Sequence, residues 1–217
     1  MFVCSTCFYD RRDSAMSTLH VNKLKAAVGT TVNIESGHKI TGASGAMAIA
    51  GSTIQTQFTQ YASKVTQSYA ADTPTAITGM TVNITPKFAN SAIKLVGTWG
   101  GEIADNGLWD HVFFFYRDST QIPPSSDFPD YASKPNQPFG LGCAGETYYA
   151  GADNSSTPNY VNIQYYDFPN TTSQITYKLG IRFNGGGTLY INHTVGDLNT
   201  GDYERFMSQI TATEISQ

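Results

Sequence analysis

From Thr53 to the end of the chain, apolar side chains recur at every second position over short runs that end in Gly, Pro or Asn. In TGMTVNITP, for example, Met80, Val82 and Ile84 alternate with polar residues until Pro86. Residues two apart lie on one face of a strand, so the pattern predicts half-buried β-strands. About eight such strands, with no predicted helix among them, predict an all-β fold with a jelly-roll-like β-sandwich.

Three stretches refine this prediction. LWDHVFFFYRD is apolar on both faces and predicts a central strand covered on both sides. ITYKLGIRF and TLYINHTV flank NGGG, and this sequence predicts a hairpin because Gly accepts positive φ. Residues 122–140 contain PPSSDFPDYASKPNQPFG, whose prolines predict a long surface loop.

The N-terminal part of the chain has too few apolar side chains to fold alone. Between Thr30 and Ala46 the large apolar residues are Val32, Ile34 and Ile40. Ordering about 16 residues costs roughly 1–2 kcal/mol each in backbone entropy. Burying three such side chains contributes only about 1.5–3 kcal/mol each. This segment is therefore either a flexible tail or a slender stalk that other copies of the chain hold in shape.

We accordingly divide the chain into a leader or adaptor of unknown role (1–16), a thin N-terminal stalk or anchor (17–52) and a β-sandwich head (53–217). In the stalk, the residues expected to mediate oligomerisation are its spaced apolar ones: Leu19, Val21, Leu24, Val28, Val32, Ile34 and Ile40. The leader lacks the apolar run of a signal peptide. No stretch approaches the ~18 apolar residues of a membrane span, so we expect no membrane insertion.

Charge and cysteine content narrow the choice of partners. Charged residues make up 14% of the chain and the formal net charge is −4. The longest basic run is Arg11-Arg12, which argues against a nucleic-acid partner because phosphate binding needs clustered Lys and Arg. Cys4 and Cys7 have C-x-x-C spacing, but a zinc site would need two further ligands. We expect no metal and no cofactor.

Two groups of residues are candidates for chemistry. Asp110-His111, with Glu102 and Asp105 just before, could act as acid and base in a hydrolase. Their spacing matches no nucleophile or carboxylate motif, so solvated acids at a strand end are the alternative, and we expect no enzyme.

Tyrosines form the second group. Tyr148, Tyr149 and Tyr160 are candidate contacts for a glycan receptor, since exposed aromatic rings stack on sugars. Gly145 and Gly151 bracket the first two as a loop tip. The alternative is that these aromatic side chains, like Trp99, pack in the core or at a subunit interface.

Several motifs in order along the chain resemble fibre and tail-fibre-like structural proteins of marine tailed bacteriophages, especially those of cyanobacteria. STLHVNKLKAAVGTTVNIESGHKITG resembles the opening of that family, and GSTIQTQ its entry into the head. TAITGMTVNITP followed by SAIKLVGTW resembles its first hairpin, and FYRDSTQI its central strand and turn. DFPNTTSQITYKLGIRFNGGGTLYIN resembles its penultimate hairpin, and YERFMSQITATEIS its closing strand.

The resemblance implies a virion protein on the particle exterior. It implies a homotrimer with a jelly-roll-like head. We further expect the N-terminal arm to dock to other virion proteins of the tail or capsid, and the head to attach to the host surface, where a glycan is the candidate receptor. A capsid-bound head fibre or decoration protein is one alternative. A carbohydrate-binding module or glycan hydrolase is another. Residues 1–15, the proline-rich loop and LGCAGETYYAGADNSSTPNY have no counterpart in the family pattern, so a host-specific or site-specific role is expected there.

Overall fold

Strands distant in sequence pair with one another throughout the body of the protein. The computed structural model describes residues 49–104, 111–144 and 156–217, together with Ser36. The described residues form ten strands: β1 (Thr53–Tyr61), β2 (Val65–Tyr69), β3 (Thr75–Ile84), β4 (Ala92–Ala104), β5 (Val112–Arg117), β6 (Thr120–Ile122), β7 (Asn159–Asp167), β8 (Ile175–Arg182), β9 (Gly187–Ile191) and β10 (Ser208–Ile215). Two 3₁₀ helices of one turn, Ser125–Asp127 and Tyr131–Ser133, lie between β6 and β7.

The antiparallel pairs are nested around one central hairpin. β5 pairs with β6, β4 with β7, β3 with β8, β2 with β9 and β1 with β10. The chain therefore behaves as one long hairpin that is rolled up, which is the connectivity of a jelly roll. The central hairpin turns at Asp118, whose φ of 55° suits a tight reversal.

Rolling the hairpin produces two sheets. The six-stranded sheet has the order β1-β10-β4-β9-β2, with β7 on the other edge of β4. The four-stranded sheet has the order β3-β8-β5-β6. Their inner faces share one apolar core, in which Leu95 and Ile210 of the first sheet meet Leu179 of the second. The all-β, jelly-roll-like sandwich is confirmed for the described residues, and most of the predicted stalk (17–52) lies outside them.

The predicted central strand is also confirmed. β5 lies between β8 and β6, and Phe113, Phe114 and Phe115 are all fully buried. Phe113 packs against Trp99 of the facing sheet, with ring centroids 5.5 Å apart. Trp99 is therefore a core residue, as the packing alternative predicted.

The hairpin predicted at NGGG is wrong. β8 belongs to the four-stranded sheet and β9 to the six-stranded one, so the glycines carry the chain from one sheet to the other. Gly186 has φ of +68°, and a Cβ there would lie 2.7 Å from the backbone nitrogen of Ala71. Glycine is needed both for this conformation and for the close approach to the end of β2. β3 and β4, expected as the first hairpin, likewise lie in different sheets.

The strand registers define two ends of the sandwich. At one end, the entry end, Ile215 pairs with both Thr53 and Ala92, and a short connection joins Ile84 to β4. Next to it, Gly51 donates its backbone N–H to the carbonyl of Ser216 at 2.7 Å. β5 runs towards this end, because Val112 pairs with Arg182 whereas Arg117 pairs with Tyr177, close to the partner of Ile84. Its first residue, Val112, therefore lies at the far end, about 17 Å along the strand from Arg117.

A buried carboxylate holds the entry end together. Glu214 of β10 shares its inward face with Ile210 and Ala212, and it is fully buried. It accepts hydrogen bonds from Gln55 Nε2 at 2.7 Å and from Ser91 Oγ at 2.8 Å. The backbone N–H groups of residues 87 and 88 donate to it at 2.8 and 3.1 Å. Burial raises the pKa of Glu214, but these four bonds together outweigh burial and hold the pKa below its ordinary value.

We expect Glu214→Gln to lower the free energy of unfolding by about 1.5–3 kcal/mol near neutral pH, because charge-assisted bonds to a buried group are lost. The pKa of Glu214 is lower in the folded than in the unfolded chain. Its stabilisation is therefore present above about pH 4.5, the ordinary pKa, and is lost as the pH falls below it. Urea unfolding of both proteins between neutral and acid pH measures this difference. A gap that stayed constant down to pH 3 would contradict the assignment.

Candidate binding site

The structure describes one of the three tyrosines predicted to contact a glycan. Tyr160 lies on β7 with its side chain on the outer face of the six-stranded sheet, and 67% of it is exposed. Tyr148 and Tyr149 lie outside the described residues, as do the seven predicted stalk positions. The receptor role of Tyr160 stays a prediction.

The outer face of the six-stranded sheet does not gather its aromatic side chains into one site. Tyr166 is also exposed there, but it lies six positions from Tyr160, which is about 20 Å along a strand. Phe58 is 65% exposed on β1, three strand spacings away from β7, or about 14 Å. One sugar ring cannot touch two of these side chains. Isolated exposed aromatics of this kind are common on protein surfaces.

The residues considered for acid–base chemistry have structural partners. Glu102 is fully buried and accepts the backbone N–H groups of Thr157 at 2.8 Å and Val195 at 2.5 Å. His111 is also buried, lies 2.6 Å from the Tyr69 hydroxyl and stacks on the ring of Phe183. Asp105 and Asp110 lie outside the described residues.

A third buried carboxylate links the two sheets. Asp167 of β7 accepts the Tyr177 hydroxyl at 2.7 Å and Arg117 Nη1 at 3.0 Å. Burial raises the pKa of Tyr177, and its hydrogen bond to the Asp167 carboxylate raises that pKa further. Tyr177 therefore stays protonated as a hydrogen-bond donor. Among the described residues, no three His, Cys, Asp or Glu side chains converge as metal ligands.

The proline-rich connection between β6 and β7 forms a cleft of about 320 Å³ that we call the loop cleft. Its walls are the rings of Phe128, Tyr131 and Phe139, together with Gln137 and two prolines of the same connection. Val112 of β5 and Gly140 close the cleft. The volume lies at the lower limit of the 300–1,000 Å³ typical of ligand pockets. Of the described residues that line it, none is charged.

The three rings of the loop cleft pack in a row around Phe139. Its centroid lies 5.1 Å from that of Phe128, at an interplanar angle of 53°. It lies 4.8 Å from the centroid of Tyr131, at 74°. Such tilted and edge-to-face contacts are favourable arrangements of aromatic rings. The three side chains remain partly exposed, so the packed cluster also contributes to the protein surface.

Hydrogen bonds fix the connection that carries the rings. Within it, the N–H of Lys134 donates to the carbonyl of Tyr131 at 2.9 Å, and the Tyr131 hydroxyl donates to the carbonyl of Pro135 at 2.9 Å. At its end, Leu141 N–H donates to the carbonyl of Phe113 at 2.7 Å. Gln121 Nε2 donates to the carbonyl of Phe139 at 3.2 Å. The loop is therefore seated on β5 and β6 at the end that carries Phe139.

The sequence predicts a surface loop here, with a host-specific role but no named site among its aromatic residues. A signal was present, since Phe128, Tyr131 and Phe139 lie in a region without a strand face to bury them. Two of them are next to proline, as FP and PF. Aromatic residues in a non-strand stretch must pack on one another or face solvent, and here they do both.

No protein-family model matches the chain, and no curated protein matches it significantly. Within the described part of the chain, no helix is long and apolar enough to cross a membrane.

We expect Gly140→Ala to disturb the loop cleft. An added Cβ would lie 2.5 Å from the backbone oxygen of Phe113 and 3.0 Å from Val112 Cβ, so the loop would have to move away from β5. The expected loss of stability is about 1–3 kcal/mol, measured by urea unfolding. Gly201→Ala is the control, because nothing lies within 4 Å of a Cβ at that glycine. Equal stability of the two variants would argue against a seated loop.

Proposed function

We propose that this chain is a non-enzymatic virion structural protein: a homotrimeric fibre that docks to the particle by its N-terminal arm and presents its β-sandwich to the host surface. The observation that carries the proposal is that the N-terminal entry of the chain and the loop cleft lie at different places along the sandwich. The chain joins the body at the entry end, beside Thr53 and Ile215, and the loop cleft borders Val112, the residue of β5 furthest from that end. This arrangement suits a body mounted at one end that meets a ligand away from its mount.

The use of the buried acids supports a binding role over catalysis. Glu102, Asp167 and Glu214 each accept several hydrogen bonds from groups of the protein. A general acid or base must reach a substrate, whereas these carboxylates join strands and connections of the sandwich. The described cleft offers aromatic rings and an amide instead, which are groups for recognition.

A trimer would compensate for the small size of the site. A cleft of this volume contacts one small ring, so each contact alone would be weak. Three heads on one stalk, repeated over a particle, make the later contacts intramolecular and increase the overall avidity by factors of about 10²–10⁴. The low charge of the chain, 14% of residues, suits an exposed particle protein.

A stand-alone carbohydrate-binding module is the second candidate, because the loop cleft would serve it equally well. A capsid-bound decoration protein would share the trimer and differ in its place on the particle. The oligomeric state separates the module from the fibre, and electron microscopy of the particle separates the two virion proteins.

Light scattering on the full chain tests the trimer. We expect three times the 23.5 kDa of one chain. Ile34→Asp should dissociate the trimer, because it places a charge on the proposed apolar axis of the stalk. Asn33→Asp is the matched control and should stay trimeric, since the alternation of Val32 and Ile34 in the sequence predicts that Asn33 lies on the opposite face. A monomeric wild-type chain would remove the main support for the fibre.

A further inference from the structure

We propose that the loop cleft binds one uncharged hexopyranose unit of a surface polysaccharide, with Phe128, Tyr131 and Phe139 as the stacking surface and Gln137 as the hydrogen-bonding residue. The inference rests on the proposed function, in which the head meets a host-surface glycan. It gives that function a site and a class of ligand.

The ring surface suits a sugar. One face of a hexopyranose presents C–H groups, and these are attracted to the negative face of an aromatic ring. Phe128 and Tyr131 flank Phe139 at 5.1 and 4.8 Å between centroids, and their rings are inclined to it by 53° and 74°, so the three rings form an angled apolar wall. All three residues are partly exposed, which leaves part of that wall open to a ligand.

Gln137 supplies the polar half of the site. Its side-chain amide makes no hydrogen bond to any described residue, and an amide offers two donors and an acceptor. Neighbouring hydroxyl groups of a sugar present donors and acceptors at matching spacing. The Tyr131 hydroxyl donates to Pro135, so its oxygen can still accept a bond from a sugar hydroxyl.

Charge and volume define the ligand further. No described lining residue carries a charge that could pair with a uronate, a sialate or a sulfate. The volume of about 320 Å³ fits a small ring better than an extended peptide. A polyproline segment, the usual occupant of aromatic grooves, is the competing ligand that the test has to exclude.

The site is organised before the ligand arrives. The N–H groups of Lys134 and Gln137 donate to carbonyls within the loop at 2.9 and 3.1 Å, and Gln121 holds the carbonyl of Phe139. Little backbone entropy is therefore lost on binding, and this lowers the cost of forming a contact with few atoms.

The test uses the purified full chain and three probes: the methyl glycosides of glucose, galactose and mannose. Ligand-observed NMR and calorimetry should give binding of at least one probe with a Kd in the millimolar range. Gln137→Ala should weaken it about tenfold, since two hydrogen bonds are lost. Phe128→Leu should weaken it by a similar factor, because it keeps an apolar side chain and removes the ring face. Phe58→Leu is the control, an exposed aromatic on another surface, and should bind like the wild type.

Three results would overturn the inference: no binding of any probe at tens of millimolar, equal affinity of the wild type and Gln137→Ala, or binding of a proline-rich peptide or an acidic sugar in place of the neutral probes. Labelled full chain applied to host cells distinguishes this failure from failure of the proposed function. If Gln137→Ala stains cells as the wild type does, the loop cleft is not the sugar-binding site, and the proposed host attachment is retained. If the wild type does not stain cells, the proposed host attachment fails, and the methyl glycosides still test whether the loop cleft binds a sugar.

Discussion

The backbone of β4 is hydrogen bonded to more strands than any other described strand, and the sandwich depends on this sharing. Along one edge β4 pairs with β7, and along the other it pairs with β10 and then with β9. At Gly101, where β4 pairs with both β7 and β9, a Cβ would lie 1.9 Å from the backbone oxygen of Tyr190, so no other residue fits there. β4 thereby joins three of the nested pairs in one sheet, and the roll closes around it.

Buried polar groups position the connections where the roll crosses between strands. Glu214 does this at the entry end and Glu102 at the far end, each by accepting backbone N–H groups of neighbouring connections. Asn192 has a related role: its side chain donates to the carbonyls of Tyr61 and Ser63 and accepts from Ser208. Removing one partner would leave buried groups unpaired, which costs more than the bond itself contributes. These residues therefore fix which connections meet.

Alternation and apolar content were sufficient to predict the strands but not their partners. β3 was predictable because its inward positions are apolar, and β5 because both of its faces are apolar. The pairing partners of β8 and β9 could not be predicted, because the glycines of NGGG allow the chain either to reverse within one sheet or to cross between two sheets. Glu214 had a detectable signal: the alternation places it on the inward face with Ile210 and Ala212. The three rings of the loop cleft lie up to eleven positions apart in a non-periodic stretch, where no pattern predicts proximity.

The adjacency of Gly51 and Ser216 has a consequence for chain connectivity. Their backbone groups bond at 2.7 Å, so a linker of a few residues could join the two termini of the sandwich without crossing either sheet. New termini could then be opened at the central turn, between Asp118 and Ser119. Such a circular permutant would keep every pairing of the roll while converting its innermost hairpin into its outermost pair. The order in which the strands are synthesised could thereby be separated from the order in which they lie in the fold.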